Sequence, residues 1–294
     1  GIDSMINLTN LQLQYNEVSN IDVTKLTKLE TLDLGGNQLT SIDLSKNVSL
    51  TTLSLGENKL TNIDVSNNPL LSYLNLYQNN LTNIDISNNP LLEYLNAQKN
   101  KLTSIDVSDK VNLKKLYLGS NQLTDLDVSK LANLEIYYAW GNKLTNVDVT
   151  KNINLKSLDL STNEITNIDL SKNDLLENLV LKQNKLTNID VSKNINLKEL
   201  YLENNQLTDL DVSNNINLEV LKKSNNKLKK EVDVSKNTKL TTYEHENALE
   251  EIEDPNIENP KTGDLPIVMI SILGIMAIMY IYYIFYKNKK IRLT

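Results

Sequence analysis

The sequence predicts a repeat solenoid: a parallel β-sheet on one face, short strands or extended segments on the other, little helix, and one C-terminal transmembrane helix. Three observations carry this. Asparagines recur at Asn16, Asn37, Asn58, Asn79, Asn100, Asn121, Asn142, Asn163, Asn184, Asn205 and Asn226, each 21 residues after the last. Just before each of them, apolar and polar residues alternate with the period of a strand that buries one face. Hydrophobic residues make up 40% of the chain but aromatics only 5%, so the core must be aliphatic.

The full unit reads LxxLxLxxNxLTxIDVSxNxx, cleanly from Leu50 (LTTLSLGENKLTNIDVSNNPL) and again from Leu71. Its last two leucines of LxxLxL point inward from one short strand. Identical strands every 21 residues must stack in parallel, because a lone unit cannot bury its own leucines. In the IDVS half, Ile63 and Val65 point in and Asp64 points out, which predicts a second short strand or extended segment. Eleven coils at about 4.8 Å each give a rod or arc roughly 50 Å long. The unit resembles the bacterial leucine-rich repeat, over residues 8–239. The copy from Leu218 departs from it, with 22 residues and Lys223 at an inward position, and Leu240, Tyr243 and His245 form a decayed half-turn over 240–249.

Composition excludes several chemistries. There is no cysteine, one histidine and a net charge of -7. That removes disulfides, thiol nucleophiles and multi-His metal sites, and it argues against nucleic acid, whose phosphates need a basic face. No nucleophile, base and orienter can be assembled around one histidine in a cap, so no enzyme and no cofactor is expected. The Asn column reads as structural, each amide satisfying backbone groups where the strand bends away. The Asp column, Asp22 to Asp233, is followed two residues later by Ser or Thr in every copy, which suggests local Asx-type turns. Calcium would need six to eight converging oxygens, more than single carboxylates one coil apart supply.

Function belongs on the outward strand positions, the third, fifth and seventh of each unit, because stacking dictates the inward ones. Most coils carry small or amide residues there, such as Thr52, Ser54 and Gly56. The middle coils carry Tyr73 and Tyr77, then Tyr94, Tyr117, and Tyr138 with Trp140; Tyr201 lies further along. Neighbouring coils approach within about 5 Å, so Tyr94, Tyr117 and Tyr138 can form an aromatic strip. Exposed rings offer large contact area at low entropy cost, which predicts a partner-binding face for a protein or a glycan. The bland alternative is ring stacking that only stabilises the sheet. Tyr137 replaces an inward Leu and is expected in the core.

The chain opens GIDSMINL without a basic and apolar leader, so a segment upstream of residues 1–7 is expected, and Leu11 and Leu13 would otherwise stand exposed at the end of the stack. At the other end, residues 250–263 form an acidic linker closing on Asn259, Pro260, Lys261, Thr262 and Gly263. An apolar run follows from Leu265 to Tyr286, within a predicted helix over 264–286, and then a basic tail over 287–294. Twenty-two residues as a helix reach about 33 Å, enough for a bilayer core, and the lysines after it place that end in the cytoplasm and the repeats outside. Motif, helix and tail in that order resemble the cell-wall sorting signal of Gram-positive surface proteins, in an NPxTG form. The resemblance implies that a sortase cuts after Thr262 and joins it to peptidoglycan; the other reading is an ordinary single-pass anchor. The whole arrangement resembles internalin-type adhesins, which implies a surface-anchored binding protein. A passive wall spacer without a ligand is the competing account.

Overall fold

The computed structural model describes residues 2–244; Gly1, His245, the NPKTG motif at 259–263, the apolar run and the basic tail lie outside the described residues. A short 3-10 turn, Ile2–Ser4, precedes twelve strands. They are β1 (Asn10–Gln12), β2 (Thr31–Asp33), β3 (Thr52–Ser54), β4 (Tyr73–Asn75), β5 (Tyr94–Asn96), β6 (Lys115–Tyr117), β7 (Ile136–Tyr138), β8 (Ser157–Asp159), β9 (Asn178–Val180), β10 (Glu199–Tyr201), β11 (Val220–Lys222) and β12 (Thr242–Tyr243). All pair in parallel and in chain order, Leu11 opposite Leu32, Leu53 opposite Leu74, Leu200 opposite Leu221. The half-turn expected after Leu240 therefore contributes a twelfth strand, with Thr242 opposite Val220.

Each of β2 to β11 is three residues long with its central side chain buried, and the next inward position, Leu34 or Leu55 for example, is fully buried too. The inward residues of all coils form one aliphatic core, to which each fully buried Leu or Val contributes about 1.5–3 kcal/mol. Tyr137 takes its expected inward place and is fully buried, with Ala139 at the next inward position. Lys223, also inward, is fully buried; its Nζ lies 3.3 Å from Glu231 and 5.2 Å from the Tyr243 ring centroid. Leu11 is 8% exposed and Leu13 partly buried, with Ile2 and Leu8 packed against the same cluster, so the first coil is better covered than the sequence suggested.

The Asn column does what its chemistry requires. Asn58 Nδ2 donates to the carbonyls of Leu34 (2.9 Å) and Leu55 (3.1 Å), while its Oδ1 accepts the Leu39 N–H (2.9 Å). Each such amide ties two coils together in groups the bend would otherwise leave unpaired. A second column, the other Asn of the unit, is also fully buried: Asn68 Nδ2 donates to the carbonyls of Leu44 and Asn47 in the preceding coil. Lys110 and Leu131 interrupt it, and Lys110 threads its buried stem out to Asp109 (2.7 Å).

The residue before each first-column Asn sits in the left-handed region, from Tyr15 (φ 57) to Asn225 (φ 58), and only Gly36 and Gly141 among them are glycine. Gly36 is held there by contact as well as torsion, since a Cβ would lie 2.5 Å from the Tyr15 ring. The IDVS half, by contrast, forms no strand among the described residues, which corrects one form of the expectation. Ile63 is partly and Val65 fully buried as expected. The Asp64 carboxylate takes the Ser66 N–H (2.9 Å), the Asx-type turn expected of the Asp column, and the chain turns back through the Asn68 N–H to the Val65 carbonyl (3.1 Å). Backbone donors spent on local turns cannot build a ladder to the next coil.

Candidate partner-binding face

Alternation along each three-residue strand sends its first and last side chains to the outer side of the sheet. On β4 to β7 those positions assemble an aromatic strip. Tyr73 and Tyr94 stack with centroids 4.2 Å apart and planes 12° from parallel; Tyr94 and Tyr117 are 5.4 Å apart and tilted by 47°; Tyr117 and Tyr138 meet edge-on at 5.3 Å and 81°. Stacked and edge-on pairs at these distances are each worth about 0.5–1.5 kcal/mol beyond buried area.

The strip changes column halfway. Tyr94 lies opposite Lys115, and Tyr117 lies opposite Asn96, so Tyr73 and Tyr94 occupy the first outward position while Tyr117 and Tyr138 occupy the second. The rings therefore run obliquely across the strands. Burial against one another and the sheet pushes the Tyr117 hydroxyl up to about 12 and raises that of Tyr73 further. Both stay protonated donors at any physiological pH. The Tyr138 hydroxyl shares a 2.9 Å hydrogen bond with Ser157 Oγ.

Trp140 extends the patch to the third outward column. Its indole lies over Gly119 of the preceding coil, where any side chain would collide with the ring. Tyr77 stands in the same column three coils earlier, with Lys99 Nζ 5.0 Å above its ring, a cation–π contact. Tyr201 is apart: it sits on β10, three strands beyond β7, and its hydroxyl donates to Glu199 (3.2 Å). Six of the seven expected residues thus gather on four adjacent coils, and Tyr201 does not join them.

Polar groups border the rings. Asn75 and Asn96 each accept a backbone N–H two residues on through Oδ1 (3.1 Å in both), and Asn96 Nδ2 donates to the Tyr94 hydroxyl (3.5 Å). Asp33 and Asp159 make the same turn, to Gly35 (3.0 Å) and Ser161 (2.9 Å). Thus one carboxylate stands on each side of the aromatic coils. Asp159 also accepts from Ser161 Oγ (2.6 Å), yet burial outweighs these bonds and raises its carboxyl above the ordinary aspartate value. Sequence reading missed these Asx turns and Lys99; the signal was an Asn or Asp at the fifth position of the unit. Among the described residues no group of three potential metal ligands gathers, nor is any helix long and apolar enough to cross a membrane.

Residues 6–47 match the family pattern described as Leucine Rich repeats (2 copies), and residues 110–132, 151–172 and 193–214 match Leucine Rich repeat. No curated protein matches the chain. Among solved structures, the functional domain of InlJ from Listeria monocytogenes is 38% identical, with a TM-score of 0.81 over 83% of this chain and 55% of that one. This chain thus spans little more than half of that domain. InlJ is described as including a cysteine ladder, whereas this sequence has no cysteine. The internalin InlF of the same organism is 27% identical, with a TM-score of 0.66 over 82% of this chain and 81% of that one. A plant peptide hormone receptor, RGFR1 in complex with RGF2, shares the fold at 22% identity and a TM-score of 0.58 over 82% of this chain and 52% of that one. The repeats are leucine-rich repeats, and the chain is similar to bacterial internalins.

Proposed function

We propose that this internalin-like solenoid is a bacterial surface protein that binds an extracellular protein or glycan through the aromatic strip on its strand face. One observation carries the reading: four tyrosines touch in sequence across β4 to β7, with Trp140 beside them, on the side of the sheet that the core does not use. Stacking holds the rings before any partner arrives, so association costs little ordering entropy. Hydroxyls and the outward side-chain amides of Asn75 and Asn96 supply direction around an apolar centre, the composition of contact surfaces that use tyrosine. Internalins and receptors of this fold act as interaction modules rather than enzymes, which supports the general role.

Anchoring belongs to the same proposal and rests on sequence alone. Residues 265–286 would hold the precursor in the membrane with the repeats outside, and a sortase would recognise Asn259, Pro260, Lys261, Thr262 and Gly263 and join Thr262 to peptidoglycan. Mass spectrometry of digested peptidoglycan checks this: a wall peptide linked to Thr262 supports it, and an intact chain through Gly263 contradicts it.

For the binding face, Tyr117, Tyr138 and Trp140 are changed together to Ala in the displayed protein. Attachment to cell-surface material should fall by at least tenfold, about 1.4 kcal/mol, while thermal unfolding stays within a few degrees. Lost stability with unchanged attachment would favour rings that only brace the sheet, as in a passive spacer.

A further inference from the structure

A second surface feature runs from Val48 to Ile216, away from the aromatic strip. The two positions before each buried leading Leu, the closing "xx" of the unit, carry eight large aliphatic side chains among the described residues, at one per coil. They range from 43% exposed at Leu175 to 55% at Ile153, and include Val48, Leu91, Ile195 and Ile216. The coil between Val111 and Ile153 contributes Ala132, exposed but small. Each half-exposed aliphatic side chain leaves on the order of 80 Å² in water, so the ridge presents roughly 600 Å² of apolar surface. That equals the largest patch of a typical monomer and approaches the ~800 Å² per partner of a standard interface.

We propose that this ridge is a homodimer interface, with a second copy of the chain lying alongside. The area is one argument and the spacing is another. A ridge with one aliphatic side chain on most successive coils is matched by an array of the same period, which a second copy supplies. Both flanks carry charges of both signs: Lys130, Lys151, Lys172 and Lys193 each stand beside an aspartate of the Asp column, and Glu135 and Glu177 on the other flank pair with Lys156 and Lys198. In the parallel pairing, about a two-fold along the solenoid, each coil's ridge residue faces its own copy, which a cysteine at one position reads out. The aromatic strip stays uncovered, so pairing would present two copies of it side by side.

Because the chain has no cysteine, a single Ile195→Cys change reads the geometry directly. In the full chain, mild oxidation should give a disulfide-linked dimer, whereas Thr52→Cys on the strand face should give none above background. Sedimentation equilibrium of the full chain should show a dimer in the micromolar range, and Ile195→Lys with Ile216→Lys should weaken it at least roughly 30-fold. Thermal unfolding of that variant, measured well below the dimer Kd so that both proteins are monomeric, should match the parent, since both side chains are more than half exposed. A parent that stays monomeric at 100 µM (roughly a hundredfold above a micromolar Kd), or a dimer that survives both lysines, would overturn the proposal.

Discussion

Tyr137 and Tyr138 are neighbours on β7 and differ in almost everything that follows from their position. Tyr137 replaces a core Leu, is fully buried, and its hydroxyl has no hydrogen-bond partner in the structure. Burial raises that hydroxyl well above the ordinary tyrosine range. Tyr138 stands partly buried on the other side, edge-on to Tyr117 and hydrogen-bonded to Ser157. The backbone is common to both, so the pleat alone assigns one ring to holding the coil and the other to the outer face. The same division runs through the molecule: inward columns are spent on stacking, and outward columns are free to vary.

Breaking the inward side should cost most. Tyr137→Ala removes a fully buried ring and should destabilise by about 3–5 kcal/mol in denaturant unfolding, whereas Tyr137→Phe, which deletes only the unpartnered hydroxyl, should be neutral or stabilising by up to ~1 kcal/mol. If Phe proved as costly as Ala, the hydroxyl would be doing something the structure does not contain. Next in size is Asn163→Ala. Asn163 donates to the carbonyls of Ala139 and Leu160 (3.0 Å each) and accepts the Leu144 N–H (3.0 Å), so its loss should cost about 2–3 kcal/mol. On the outer side, Tyr138→Phe should cost no more than about 1 kcal/mol, the worth of one partly exposed hydrogen bond. Smallest is the exposed pair Lys156–Glu135 (2.8 Å), whose removal should change stability by 0.2–1 kcal/mol and less in high salt.

The carboxylates sharpen the contrast by pH. All eleven of the Asp column, Asp64 among them, are held below the ordinary aspartate value of 3.8, for Asp64 chiefly by hydrogen bonds from Ser66. The unfolded chain binds protons there first, so this contribution is complete above about pH 5 and is lost as pH falls through the lowered values. Asp159 has the opposite sign: its raised carboxyl binds a proton more readily when folded, so it favours the folded state as pH falls toward 3.8. Unfolding temperature should therefore drop on acidification below pH 4. Asp64→Asn should flatten that fall slightly, and Asp159→Asn should raise stability at neutral pH relative to the parent.

The 21-residue period made the sheet, its parallel order, the inward leucines and the buried Tyr137 legible in advance, because each follows from alternation plus stacking. The aromatic columns were legible as a face but not as an oblique strip, since the switch at Tyr117 depends on which ring meets which across the register. Tyr201 was legible as distant, since three 21-residue periods separate it from Tyr138, and on β10 it stands apart from the strip. The left-handed column was hidden because residues as unlike as Glu57, Lys99 and Thr162 fill it, so no residue preference marks it. In the IDVS half the Asx turns were legible from Asp followed by Ser or Thr two residues on, whereas alternation alone left a strand open that those turns rule out. The aliphatic ridge fell in positions that look unconstrained when only the strict repeat is read.

Trp140 is the single tryptophan of the chain and lies within the strip, so its emission reports on that face alone. Titrating the displayed repeats with the surface material they retain should shift or quench that emission in a saturable way, and the response should vanish when Tyr117 and Tyr138 are both Ala. Retention with an unchanged Trp140 signal would place the contact elsewhere and contradict the account.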